Sequence, residues 1–176
     1  MRPFELFQDY VCRLCSSALS GTDLSITVPP QFNTMDRIFL GYNRTIRPDI
    51  LIKRDADTIA VIDAKRRNFQ SLTNVGGAYT LDQESLYRML FYVNFYRKQG
   101  HEINGVFVVP NLRGSPLFEQ ATISYDSKIH ITLLGININT EHTNYESNSI
   151  DNEGKFKKTF REILGIDSDG NQLSQT

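Results

Sequence analysis

The chain has no tryptophan, only two cysteines and six prolines, and a net charge of −1 over its 176 residues. With no second cysteine pair, a four-cysteine zinc or iron–sulfur site is excluded, and the fold must stand without disulfide support. Cys12 and Cys15 fall where Phe4, Phe7, Val11, Leu14 and Ala18 recur at near-helical intervals, which makes them small helix residues. His101, His130 and His142 are scattered without ligand spacing. No apolar run approaches the ~20 residues of a membrane span, and Met1-Arg2-Pro3-Phe4-Glu5 lacks the apolar stretch of a secretory signal. A reducing cytoplasm is the expected location, and there the Asn43-Arg44-Thr45 sequon has no meaning. Because the chain is not basic overall, any attraction to nucleic acid must come from local charge.

What is present is enough for a core: 40% of residues are hydrophobic and 11% aromatic. The expectation is one domain over residues 1–165 and a flexible tail over 166–176. A helix is read from about Pro3 to Ala18, a short strand at Ile26–Val28, and a turn at Pro29-Pro30. Arg37–Tyr42, Arg47–Lys53 and Thr58–Lys65 read as central strands. Asn68–Tyr79, with Gly76-Gly77, reads as a strand-to-helix loop. A second helix runs from Leu81 to Arg97, with Thr80-Leu81-Asp82-Gln83 as a capping box, and ends at Gln99-Gly100. Gly105–Val109 and Ile129–Ile138 are later strands. Thr140–Gly154 is polar and irregular, Lys155–Leu164 is a short helix, and Asp167–Thr176 frays.

The chemistry is concentrated between Arg47 and Arg67. Ile50–Ile52 and Ile59–Ile62 are aliphatic runs suited to buried strands, and Lys53–Asp57 suits the turn between them. Folded about Ala56, this hairpin brings Asp49 and Asp63 opposite each other at its open end, with Lys65 emerging two residues beyond Asp63 on the same side. An acid inside an apolar run is expensive to bury unpaired, and here it occurs twice. Two hard carboxylates suit Mg2+, with Mn2+ as substitute, for lowering the pKa of a bound water and polarising a phosphoryl oxygen. An ammonium beside them can orient that water or neutralise the charge of a phosphorane. From Arg37 to Arg67 eight basic residues stand against four acids. Arg44, Arg47, Arg66 and Arg67 are the expected phosphate contacts.

Pro48-Asp49 followed by Asp63-Ala64-Lys65 resembles the signature of the PD-(D/E)xK nuclease superfamily. Leu6–Val11, Arg47–Ile50, Ile62–Lys65 and Leu86–Tyr92 make the chain most similar to the McrC-type nuclease subunit of modified-cytosine-dependent restriction systems, over roughly residues 4 to 140. The resemblance implies an α/β fold with a restriction-endonuclease-like core, a mixed central sheet of about four to five strands flanked by helices. It also implies Asp49, Asp63 and the Ala64 carbonyl as metal ligands, with Asp49, Asp63 and Lys65 catalytic. Two departures stand out. The first helix carries Gln8 where the family presents a glutamate, with Glu5 a weak substitute one turn earlier. In the later helix the McrC-like frame expects glutamine at Arg88 with Tyr92, whereas Gln83 and Tyr87 supply the Gln-x-x-x-Tyr spacing of RecB-like nucleases; one frame alone can face the site. Tyr87, Tyr92, Phe95 and Tyr96 stack bases if exposed, but helix-to-sheet packing is the commoner use of such a cluster.

The expected function is a metal-dependent DNA endonuclease hydrolysing phosphodiester bonds in restriction or phage defence. The alternatives are a recombination, repair or transposition nuclease of the same superfamily, or a catalytically weakened nucleic-acid-binding module. DNA is the expected partner, with a second copy of the chain and a nucleotide-driven motor subunit as further ones; no membrane is expected.

Overall fold

Runs of β-branched residues with no polar alternation can only be strands buried on both faces, and three of them make the centre of the molecule. A computed structural model of the chain describes residues 3–29, 47–65, 82–111, 118–137 and 145–166. Among these, helix α1 (Pro3–Ala18) is followed by strands β1 (Leu24–Thr27), β2 (Ile50–Arg54) and β3 (Asp57–Ala64). Then come helix α2 (Gln83–Tyr96), strands β4 (Ile103–Asn111), β5 (Phe118–Ile123) and β6 (Asp126–Asn137), and helix α3 (Tyr145–Ile163). The strands form one six-stranded sheet in the order β1-β2-β3-β4-β6-β5. β1, β2 and β3 pair antiparallel, β3, β4 and β6 run parallel, and β5 closes the far edge antiparallel to β6. The sheet is therefore mixed, as expected, and counts six strands among the described residues where about four to five were expected.

The alternation of side chains along each strand divides the core into two layers. Ile50, Ile52, Ala60, Ile62, Val106 and Val108 pack against α1 and α3 through Val11, Leu14, Phe156 and Phe160. Leu51, Val61, Phe107, Val109 and Leu133 pack against α2 through Met89, Tyr92 and Val93. The two helices on the first face are tied at their ends, where Arg161 Nε donates to the Ala18 carbonyl at 2.6 Å and satisfies an otherwise orphaned helix terminus. On the second face α2 sits close because residue 105 is glycine: a Cβ there would meet Met89 Cγ at 2.8 Å and Ile131 Cδ1 at 2.9 Å.

Several boundaries differ from the sequence reading. The cap of α2 is Asp82, whose carboxylate accepts from Ser85 N and Oγ, each at 2.8 Å; Thr80 lies outside the described residues. β5, an edge strand mixing polar and apolar residues, has no signal in the sequence reading. α3 begins at Tyr145, ten residues before the expected Lys155, across Ser147, Asn148, Asp151, Asn152 and Gly154, all poor helix formers. Tertiary contacts hold part of that stretch: Tyr10 Oη donates to Glu153 Oε1 at 3.1 Å and Asn152 Nδ2 to the Asn137 carbonyl at 3.4 Å. Ile166, placed with the tail by the sequence reading, is a buried core residue. The expected strand Arg37–Tyr42, the loop Asn68–Tyr79 and residues 167–176 lie outside the described residues.

Candidate active site

The β2–β3 hairpin turns tightly at Asp55-Ala56, with Asp55 in the left-handed region at φ 53, a conformation aspartate tolerates better than most residues. Next to the turn Arg54 faces Asp57 and Lys53 faces Thr58; beyond it Ile52 faces Ala60 and Ile50 faces Ile62. Ile59 is thus an extra residue in β3, a β-bulge that advances the register by one. Without it Asp49 would face Ile62. With it the ladder continues toward Asp49 opposite Asp63, the arrangement expected from a fold about Ala56 but reached by a tighter turn plus a bulge.

Asp49 lies just before β2 and is fixed from two directions. Its Oδ2 accepts from the Ala64 N–H at 2.7 Å, and its Oδ1 accepts from Gln8 Nε2 at 2.9 Å. Gln8, on α1, thus touches the acid pair. Asp63, buried near the end of β3, carries Lys65 Nζ on its Oδ2 at 2.5 Å. The Asp49 carboxyl is pushed up to about 6, first by burial and second by the charge of Asp63, against the opposing pull of the Ala64 N–H, Lys65 and Arg47. Two carboxylates thus share one partly desolvated spot at the carboxyl ends of the parallel strands, the end of an α/β sheet where ligands collect.

From α2, Tyr92 reaches the same place. Its hydroxyl donates to the Arg47 carbonyl at 3.0 Å, and burial and then the Asp63 charge push it up to about 12. Arg88, one turn earlier, acts electrostatically on Tyr92. Gln83 instead donates to the Tyr87 hydroxyl at 2.6 Å on the exposed face, so the Arg88/Tyr92 frame is the one turned toward the acids. On the α1 side a cleft of about 320 Å³ opens beside Asp49, lined by Glu5, Gln8, Asp9 and Arg47 among others; Asp63 and Lys65 are not part of its wall. Arg47 Nε is buried there and has no hydrogen-bond partner among the described residues, a donor suited to a phosphate oxygen. Arg44, Arg66 and Arg67 lie outside the described residues. Burial pushes up both thiols, with Asp9 adding to the effect on Cys12 and Cys12 to that on Cys15.

The donor set fits a hard divalent cation. Each Asp49 oxygen accepts one hydrogen bond and keeps a lone pair, and the burial and repulsion from Asp63 that raise this acid are what a cation would relieve. No group of three or more histidines, cysteines or acids suited to a metal occurs among the described residues, so such an ion would take its remaining ligands from backbone, water or substrate oxygens, the habit of Mg2+. No helix among the described residues is long and apolar enough to cross a membrane.

No family model matches the chain, and no curated protein matches it. Among solved structures it is similar to a chain in a refined half-complex from a tetradecameric assembly of Thermococcus gammatolerans McrB AAA+ hexamers with bound McrC. The TM-score is 0.63 at 12% sequence identity, over 93% of this chain and 34% of that chain. At that identity the likeness is one of fold, and this chain spans about a third of the length of its structural neighbour.

Proposed function

We propose that this chain is a magnesium-dependent deoxyribonuclease domain of the PD-(D/E)xK superfamily, cutting phosphodiester bonds in a restriction system alongside a nucleotide-driven motor. The observation that carries the reading is the coupling of Asp49 to Asp63 at the open end of one hairpin, with Lys65 on the second acid and Gln8 on the first. The fold shared with a chain of an McrB–McrC assembly supports the restriction context and the motor partner.

Asp49, Asp63 and the Ala64 carbonyl would hold the cation, which supplies polarisation of a phosphoryl oxygen and a water acidic enough to attack at neutral pH. Gln8 and the Ala64 N–H keep the Asp49 carboxylate in one orientation, so the ligand geometry is set before substrate arrives. Lys65, anchored by Asp63, holds a compact positive charge where the attacking water and the phosphorane oxygens must lie. Arg47 offers its unpartnered Nε–H to a flanking phosphate.

A second reading, a nucleic-acid-binding module with weakened catalysis, is favoured by one observation: the position where the family places a third acid is a neutral amide that donates to Asp49. Cleavage assays separate the two. Single-stranded, duplex and methylated DNA are incubated with wild type, Lys65→Ala and Asp63→Ala, with and without Mg2+. Wild type is expected to cut only with the metal, and each variant to lose on the order of a hundredfold or more while keeping its thermal unfolding transition. Equal magnesium-dependent activity in wild type and Asp63→Ala would reject the assignment.

A further inference from the structure

Three aromatic residues on α2 recur every four positions and are not absorbed by the core: Tyr87 is 59% exposed, Phe91 39% and Phe95 55%. Their spacing puts them on one stripe of the helix. Phe91 and Phe95 lie with ring centroids 5.9 Å apart and planes 17° from parallel. Phe91 also meets Tyr92 edge-on at 6.4 Å, so the middle ring of the three adjoins the residue whose hydroxyl sits beside the acid pair. Arg88 stands between the stripe and that residue, 43% exposed and held only loosely by Glu84 at 3.7 Å.

We propose that the Tyr87–Phe91–Phe95 stripe is a stacking platform for the bases of a single-stranded nucleic acid, with Arg88 directing its backbone toward Asp49 and Asp63. The inference rests on the nuclease reading above and deepens it by naming the form of substrate. Each four-residue step along a helix rises about 6 Å, roughly twice the 3.4 Å repeat of bases stacked in one strand of a duplex. Rings at that spacing suit bases drawn apart from one another, as in an extended single strand. Stacking on aromatic faces is tolerant of sequence and works beside cations that track the backbone, which in a chain of net charge −1 must be supplied locally, as by Arg88. A partner protein's apolar surface would need no cation between the stripe and the acids; Arg88 is placed where a phosphate backbone would need one.

The absence of tryptophan makes a direct test available, because Phe95→Trp introduces the chain's single indole. The variant of the whole 176-residue chain is titrated in EDTA, which withholds the metal that cleavage would need, with an oligothymidylate and with a duplex of equal length. The expected result is quenching by the single strand at lower concentration than by the duplex. Tyr87→Ala and Phe95→Ala in the otherwise native chain should each weaken single-strand binding roughly tenfold, with Phe95→Tyr retaining it and each variant still folded at the assay temperature, since the rings lie outside the core. Absence of quenching, or unchanged affinity in the Tyr87→Ala/Phe95→Ala double variant, overturns the proposal, as does a double variant that loses only self-association in sedimentation. Binding in EDTA and cleavage in Mg2+ are read separately. Quenching without cleavage leaves the stripe standing and removes the nuclease, whereas cleavage of duplex without quenching does the reverse.

Discussion

At the residue scale, Asp49 sits in an environment unfavourable to its own charge. Its folded-state pKa, about 6, lies above the ordinary aspartate range because of burial and then Asp63. A raised carboxyl favours the protonated native state. The stability it contributes is therefore fully present below pH about 4 and is lost as pH rises through about 6. Asp49→Asn imitates the protonated form and can still accept from the Ala64 N–H. In the absence of divalent metal it is expected to be more stable than wild type by about 1–3 kcal/mol above pH 7, with the difference vanishing near pH 4. Denaturant melts of both proteins across that range check this; a variant less stable at every pH would mean that the hydrogen bonds from Gln8 and Ala64 outweigh the repulsion. Asp49, Asp63 and Lys65 were open to sequence reasoning because acids interrupt two apolar runs at matching distances from a turn. Two features were not. The bond from Gln8 to Asp49 depends on how α1 crosses the sheet, and the orphaned Arg47 Nε depends on burial, neither of which a linear pattern contains.

At the element scale the site depends on a bulge and on a glycine. Ile59 supplies the register step that advances the β2–β3 ladder toward Asp49 opposite Asp63, and the Asp55 turn it accompanies requires a positive φ. Asp55→Val places a β-branched residue there and should destabilise the hairpin by about 1–2 kcal/mol, read as a lower denaturation midpoint; no change would show that the turn relaxes to another type. Gly105→Ala drives a methyl into the side chains of Met89 and Ile131, where α2, which carries Tyr92, seats on the sheet. A loss of about 1–3 kcal/mol is expected for such overpacking, and unaltered stability would mean that both side chains swing clear at no penalty. The strands β2, β3 and β4 were legible because continuous β-branched runs have few other uses. β5 was not, since an edge strand is half polar, and the first half of α3 was not, since Asp151, Asn152 and Gly154 are poor helix formers and the contacts of Asn152 and Glu153 are with distant partners.

At the scale of the whole molecule, a mixed sheet between α1 and α3 on one side and α2 on the other collects a glutamine, two acids, a lysine and a tyrosine from four separate segments at one end. The mixed α/β architecture expected from the sequence is the one observed, and a fold of this kind recurs in a chain of the Thermococcus gammatolerans McrB–McrC assembly at an identity too low to carry function with it. The account therefore turns on whether the acid pair binds a cation. Thermal unfolding of the metal-free protein, titrated with Mn2+, measures this directly. A melting temperature that climbs with metal concentration in wild type and stays flat in Asp63→Asn is the expected result. A wild type indifferent to Mn2+, or a variant that climbs in parallel with it, contradicts the account.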